Sequence, residues 1–336
     1  MIAVVIPCYK VSTQICPLIN NIGDEVTHII VIDDCCPEMT GALVEKNISD
    51  PRVRVIFHEK NQGVGGAVLT GYQEAIKLGV QVIVKLDGDG QMDPKLIPAF
   101  IAPILQKQAD YAKGNRFYDI ETVRQMPFLR LVGNAGLSFL TKASSGYWNI
   151  FDPTNGYTAI SAKVAERLPV DKISRRYFFE SDMLFRLNTM RAVLIDVPMF
   201  AKYGNEKSNL NVPKELFKFF FKNLRNIGKR ILYNYFLRNF SYASLELIFG
   251  LSSLSFGCFY GSARWMEMAS KGTFASSGTV MLAALPIIIG LQLTLGFINH
   301  DMGNLPTTPL QDRLNSDAVM LTNKTEKLHS NYEKVS

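Results

Sequence analysis

Apolar and polar residues follow two different rhythms along this chain. Over about the first 205 positions, short β-branched runs take turns with stretches whose apolar residues recur every three to four positions. The runs Ile2–Ile6, His28–Ile32, Arg54–Phe57, Gln81–Leu86, Tyr111–Lys113 and Val193–Val197 read as strands, and Gly65–Leu78 and Lys95–Gln106 as helices. Such alternation predicts an open, largely parallel α/β sheet flanked by helices. Sheets of that kind bind ligands beyond the carboxyl ends of their strands. The polar clusters Pro7–Lys10, Asp33–Asp34, Asp87–Asp93 and Gly114–Arg116 each follow a strand, so they are expected to meet at one rim.

From Pro213 the pattern changes. Lys214, Lys218, Lys222, Arg225 and Lys229 recur at helical spacing and form a basic stripe, with Phe217, Phe220, Phe221, Leu224, Ile227 and Ile231 expected on the opposite side. A basic stripe and an aromatic face are the marks of a helix lying on anionic lipid, the alternative being an ordinary amphipathic helix packed on the domain. Leu247–Ala263 is uncharged, and Thr279–Ile298 is apolar apart from Pro286 and Gln292, long enough to cross a hydrocarbon core of roughly 30 Å. A buried helical pair is the alternative. The expected organisation is a domain over 1–210, basic amphipathic helices over 211–240, two transmembrane helices over 241–300 and a polar tail over 301–336. Because the basic excess precedes the first span, the positive-inside rule places the N-terminal domain and the tail in the cytoplasm of a multi-pass inner-membrane protein.

Composition narrows the classes. The chain has 336 residues, 36 Lys+Arg against 30 Asp+Glu, a net charge of +6, 47% hydrophobic and 20% charged residues. A disordered or fibrous chain is excluded, and the basic excess is too small to imply nucleic acid. Cys8, Cys16, Cys35, Cys36 and Cys258 show no C-x-x-C spacing and are odd in number, which points to free thiols rather than zinc or disulfides. Met1 leads directly into a strand-like run, so no signal peptide is expected.

The chemistry centres on Lys85-Leu86-Asp87-Gly88-Asp89-Gly90-Gln91. In extended chain, residues two apart point the same way, so Asp87 and Asp89 can face one ligand. Hard oxygen donors of this kind suit Mg²⁺ or Mn²⁺ shared with phosphate oxygens. Asp33-Asp34 can reach a ribose or base edge, and Asn61-Gln62-Gly63-Val64-Gly65-Gly66 reads as a phosphate-side turn before a helix. The Lys-Ser/Thr of a P-loop and the dinucleotide G-x-G-x-x-G are both missing, which argues against an NTPase or a dehydrogenase.

In order along the chain, Val5-Ile6-Pro7-Cys8-Tyr9, Val31-Ile32-Asp33-Asp34, Asn61-Gln62-Gly63-Val64-Gly65, Asp87-Gly88-Asp89-Gly90-Gln91-Met92-Asp93-Pro94, Gly114-Asn115-Arg116-Phe117 and Asp152-Pro153-Thr154-Asn155-Gly156-Tyr157 resemble a family 2 glycosyltransferase. The nearest type is the dolichol-phosphate-mannose synthase-like branch with C-terminal membrane helices. The resemblance covers about residues 1–210. It implies a GT-A fold, a Rossmann-like open mixed sheet flanked by helices, followed here by an interfacial helix and a transmembrane hairpin. It also implies a nucleotide-diphosphate sugar donor (GDP- or UDP-linked), with Pro7, Tyr9, Asp33, Asp34, Asn61, Gly63, Asp87 and Gly88 binding it and Asp87 and Asp89 holding Mg²⁺ or Mn²⁺. Gln91 and Arg116 would line the sugar and acceptor side. Three departures stand out: Lys10-Val11 replaces the family's Asn-Glu/Asp, Gly156-Tyr157-Thr158 lacks its arginine, and Gly204-Asn205-Glu206-Lys207-Ser208 stands where the family has Gly-x-Ser-Lys. Arg175, Arg176, Lys202 and Lys207 are the candidates to supply that positive charge to an acceptor phosphate.

The acceptor decides whether a base is needed. A lipid monophosphate has a second pKa near 6 and arrives ionised, whereas a sugar hydroxyl needs a positioned carboxylate. Tyr177-Phe178-Phe179-Glu180-Ser181-Asp182 offers Glu180 or Asp182 for that role, or simply two acids at a helix start. Transfer to polyprenyl phosphate at the membrane is the leading expectation. A hydroxyl of a lipid-linked saccharide in polysaccharide synthesis is the alternative, and a non-catalytic membrane scaffold a minor one. A homo-oligomer is compatible with all three.

Overall fold

The computed structural model describes residues 1–118, 128–199 and 212–314. The chain divides into two compact units, one comprising Met1–Asn226 with the segment from Pro306, the other Ile227–Leu305. The first unit therefore runs past the expected boundary at 210 and takes in the start of the tail.

The first unit is built on one seven-stranded sheet. Its strands are β1 (Ile2–Cys8), β2 (His28–Asp33), β3 (Val53–Phe57), β4 (Val82–Lys85), β5 (Tyr111–Asn115), β6 (Thr158–Ser161) and β7 (Leu194–Pro198). They lie in the order β3-β2-β1-β4-β6-β5-β7. The six strands read from the sequence form two parallel sets, β3-β2-β1-β4 and β5-β7. Between them β6 runs antiparallel to both neighbours and makes the sheet mixed. Only four residues long, β6 gives no extended apolar alternation of its own. Every residue of β1, β4, β5 and β6 is buried, as expected for strands covered by helices on both faces.

Val64–Lys77 packs on β1 and β2, and Ile97–Leu105 packs on β4, β5 and β6. The second is shorter than its sequence pattern because Pro94–Leu96 forms a separate 3₁₀ turn, capped by Asp93, whose Oδ1 accepts from the Lys95 N–H at 3.0 Å. Phe100 of that helix stacks on Tyr157 with ring centroids 3.9 Å apart, tying it to the Asp152–Tyr157 loop. A helix over Phe128–Ser145, not anticipated from the sequence, completes the flank.

The segment after Pro306 returns to this unit. The buried Asp110 carboxylate accepts from the backbone N–H groups of Val193, Leu310 and Gln311 at 2.7, 2.7 and 2.8 Å. The Gln311 amide in turn donates to the carbonyls of Ile104 and Ala109. Residues 310–313 are thus docked rather than a loose polar tail.

The second unit holds two helices, Tyr242–Lys271 and Ser277–Gly303, both long and apolar enough to cross a membrane. Each begins before and ends after its expected span, the second by only two residues at its start. Small residues let them approach closely: a Cβ on Gly250 would stand 2.7 Å from Thr294 Oγ1, and one on Gly290 2.6 Å from the Leu254 nitrogen. Phe249, Phe256, Phe259, Leu282 and Ile288 remain exposed on these helices among the described residues. A buried ion pair from Arg230 to Asp301, at 2.5 and 2.8 Å, with Tyr235 donating to the same carboxylate at 2.7 Å, closes one end of the unit.

Candidate active site

The strand order reverses at β1, with β2 on one side and β4 on the other, and the chain leaves β1 and β4 toward the same rim. A cleft at such a point is where open α/β sheets take ligands. A cavity of about 450 Å³ lies there. Its wall includes Pro7 and Tyr9 after β1, Asp34 after β2, Asn61 and Gly63 from the loop before Val64, Asp87, Gly88 and Asp89 after β4, and Arg176 with Tyr177. Of the eight residues assigned from sequence to the donor, Asp33 alone is not in this wall. Its carboxylate points into its own loop, accepting from Cys36 N–H at 2.7 Å and Gly41 N–H at 2.6 Å at the start of Thr40–Asn47.

Asp34 shapes the wall as much as it lines it. One oxygen meets His58 Nδ1 at 2.7 Å and the Gln62 N–H at 2.8 Å, and the other takes the Gly63 N–H at 2.8 Å. The loop is therefore pinned by a carboxylate from the neighbouring strand. Gly63 has φ +84°, and a Cβ there would sit 2.7 Å from the Arg175 carbonyl, so glycine is required on both counts. Gly66 N–H donates to that same carbonyl at 3.0 Å. The loop over 61–66 and the segment over 174–176 thus form one rim.

Below Asp87 lies a residue to which sequence reasoning assigned no role. Lys85, at the end of β4, is 1% exposed, and its ammonium meets Asp87 Oδ1 at 2.8 Å, the Gly156 carbonyl at 3.0 Å and Glu180 Oε1 at 3.2 Å. Burial works against its charge, but Asp87 and Glu180 outweigh it and hold the ammonium above the ordinary lysine range. Lys113 on β5 is also buried and donates to the Asn155 carbonyl. With less compensation, from Asp152 and Glu180, burial pulls it down to about 8. Cys8, also in the wall, is a thiol pushed well up by burial and then by Asp33, which removes it as a nucleophile at neutral pH.

The other candidates are distributed as follows. Gln91 donates its backbone N–H to Asp89 Oδ1 at 3.0 Å. Arg116 grips the fully buried Asp152 through Nε at 2.7 Å and Nη2 at 3.1 Å. Asp182 is buried away from the cavity and accepts from Ser174 N–H at 2.8 Å and the Asn226 amide at 3.1 Å. Arg175 is exposed and bonds Gln62 Oε1 at 3.0 Å, whereas Arg176 faces the cavity. Lys202 and Lys207 lie outside the described residues.

The basic helix, Val212–Leu232, carries three stripes rather than the two suggested by sequence. Asn223 and Asn226 form a buried polar stripe, bonded to Ser144 Oγ at 2.5 Å and to Asp182. Phe217, Phe220, Phe221 and Leu224 are exposed together on a second. Lys218, Lys222 and Arg225 make the third, and Lys222 reaches Ser174 Oγ at 3.4 Å and lies over the Phe178 ring. The protein-facing side is the polar one, and Phe217, Phe220 and Phe221 are exposed among the described residues.

Residues 3–168 match glycosyl transferase family 2. A relative from Methanococcus voltae, a UDP-N-acetylglucosamine–dolichyl-phosphate N-acetylglucosaminyltransferase, is 30% identical over 217 residues, which is 60% of this chain and 86% of that one. The chain belongs to glycosyl transferase family 2. The polyprenol monophosphomannose synthase of Mycolicibacterium smegmatis is 29% identical, covering 64% of this chain and 84% of that one. The undecaprenyl-phosphate mannosyltransferase of Micrococcus luteus is 27% identical, over 58% and 81%. The fold is shared with glucosyl-3-phosphoglycerate synthase from Mycobacterium tuberculosis, solved with Mn²⁺, UDP and phosphoglyceric acid (TM-score 0.51, 17% identity, 68% of this chain and 78% of that one). The protein is a glycosyltransferase of the GT-A fold.

Within that family frame, the donor set of the cavity suits a hard divalent cation. Asp87 and Asp89 are two carboxylates on one wall, and Lys85 already places a cation against one of them. Among the described residues no third His, Cys, Asp or Glu joins them as a ready-made cage. Two carboxylates with open positions are the arrangement Mg²⁺ or Mn²⁺ adopts when phosphate oxygens complete its shell.

Proposed function

We propose that this glycosyltransferase moves a sugar from a nucleotide-diphosphate donor to a polyprenyl phosphate at the cytoplasmic face of a membrane, with inversion at the anomeric carbon and dependence on a divalent cation. The observation that carries the reading is the shared rim. The segment bearing Arg176 and Tyr177 closes the cavity of Asp87 and Asp89, and the same segment is held by Lys222 of a helix whose phenylalanine face is open to lipid.

The residues divide the work. Tyr9, Asn61 and the loop pinned by Asp34 enclose the nucleoside end of the cavity. Asp87 and Asp89 would hold Mg²⁺ or Mn²⁺, which when bound supplies Lewis-acid stabilisation of the departing diphosphate. Arg176, with Arg175 beside it, offers charge-assisted hydrogen bonds to an acceptor phosphate. Such a phosphate is already ionised near neutral pH, so the chain's part is to hold it behind the anomeric carbon and keep water out. The carboxylates supplied by the Phe179–Thr189 helix favour this reading over a hydroxyl acceptor. Asp182 accepts one hydrogen bond on each oxygen, from Ser174 and Asn226, away from the cavity, and Glu180 is paired with Lys85. The names of the relatives point the same way.

The direct test is mass spectrometry of the lipid products after incubation with a panel of UDP- and GDP-sugars and polyprenyl phosphate. A phosphate-linked monosaccharide on the polyprenol is expected. A product formed only when a lipid-linked saccharide is supplied would overturn the acceptor assignment.

The return of residues 310–313 to the first unit supports a hairpin whose two ends share one side. A cysteine replacing Thr273, between the hairpin helices, and one introduced beyond residue 314 should therefore label from opposite faces of a sealed vesicle. The background would carry Cys35→Ser and Cys258→Ser, removing the exposed native thiols. Labelling of both positions from one face contradicts the topology.

A further inference from the structure

Lys85 is a charged residue at the end of an otherwise apolar strand, and its ammonium faces three oxygens. It ion-pairs with Asp87, which follows its own strand, and donates to the Gly156 carbonyl in the Asp152–Tyr157 loop and to Glu180 of the Phe179–Thr189 helix. The fit is tight. A Cβ on Gly156 would stand 2.6 Å from the Lys85 nitrogen and closer still to Asp87 Oδ2, so no other residue leaves room for the contact.

We propose that Lys85 acts as a resident counter-ion to Asp87, keeping the cavity from taking up a divalent cation until a nucleotide diphosphate arrives with it. The inference rests on the assignment of Asp87 and Asp89 to that cation. An ammonium bonded directly to a ligand carboxylate repels an incoming divalent cation, strongly so at the effective dielectric of a protein pocket. A diphosphate reverses the balance, because its oxygens add negative charge and the donors that two carboxylates alone do not supply. The consequence is coupled binding, in which free Mn²⁺ binds weakly and UDP or GDP tightens it. A nucleotide-free enzyme then does not sequester metal in a half-built site.

A lysine that only filled the core would behave differently. Its loss would leave Asp87 and Glu180 unpaired and disordered, and metal binding would weaken. The two roles therefore predict opposite signs. Mn²⁺ binding to the full chain in detergent micelles, followed by electron paramagnetic resonance of the free ion with and without UDP or GDP, reads the sign without any turnover. Lys85→Met should bind Mn²⁺ alone at least tenfold more tightly than the wild type, and the nucleotide's enhancement should shrink. Lys85→Met combined with Glu180→Gln removes the second unpaired acid, should fold even where the single variant does not, and should still bind free Mn²⁺ more tightly than the wild type. Lys85→Arg keeps the charge and should keep the coupled pattern.

Folded Met variants that bind free Mn²⁺ no better than the wild type would overturn the proposal, as would an arginine variant that binds it as tightly as Lys85→Met. Wild-type protein that fails to bind Mn²⁺ even with UDP or GDP would overturn the metal assignment itself. That outcome is distinct from wild-type binding that Lys85→Met leaves unchanged.

Discussion

Asp89→Asn is expected to lower sugar transfer by about 10³-fold while leaving the fold intact. The residue sits on the loop after β4, partly exposed at the cavity wall, so its replacement by an isosteric amide removes no core packing. What it removes is one of two anionic donors to a divalent cation. Losing several kcal/mol of leaving-group stabilisation corresponds to roughly three powers of ten in rate. Excess EDTA should have a comparable effect on the wild type, reversed by Mg²⁺ or Mn²⁺. Circular dichroism and the thermal midpoint of the variant should match the wild type. Transfer that persists undiminished in the variant, or in EDTA, removes the cation from the mechanism.

Arg176→Gln is expected to lower kcat/KM for polyprenyl phosphate by about 10- to 100-fold, the equivalent of one charge-assisted hydrogen bond. Glu180→Gln and Asp182→Asn should each cost less than about tenfold, in line with altered positioning rather than a lost proton acceptor. Glu180→Gln still presents an oxygen to Lys85, and Asp182→Asn still presents one to the Ser174 N–H. A hydroxyl acceptor reverses the ranking: one of the two carboxylate variants would then lose about 10²–10⁴ in rate, the size of a general-base contribution, and the arginine variant would be mild. Arg116 is a poorer probe of the acceptor than its sequence position suggests. Its guanidinium is committed to a fully buried Asp152, and removing it would leave that carboxylate without its ion-pair partner.

Much of the site was legible from local pattern. Six of the seven strands, the Val64–Lys77 helix and the two long apolar helices follow from hydrophobic period and run length. These depend on the residue's neighbours in the chain and hold whatever the tertiary context. The Asp87-Gly88-Asp89 motif put two carboxylates just beyond β4, but Gly88 and Asp89 form a turn rather than extended chain, so it is the turn and not strand alternation that brings both to the cavity wall. Strand ends carrying polar clusters determined that Pro7, Tyr9, Asp34 and Asp87 would share a rim once a parallel sheet formed.

What only the tertiary structure decided is which acids are available and which are occupied. Asp33 and Asp34 are adjacent and chemically identical, yet one caps a helix start while the other pins the 61–63 loop and lines the cavity, a difference of side-chain direction that sequence does not record. Asp182 is spent on Asn226, 44 residues away, and Glu180 on Lys85, 95 residues away. Pairings across such distances leave no periodic trace, because they depend on which strand ends and helix starts the completed sheet brings together. The same holds for β6, whose four residues are a strand only because β4 and β5 flank them. It holds too for Gln311, whose amide meets carbonyls more than 200 residues back in the chain. Period and spacing are local quantities and can be read along one chain, whereas the partner of a buried charge is settled by the closure of the whole fold.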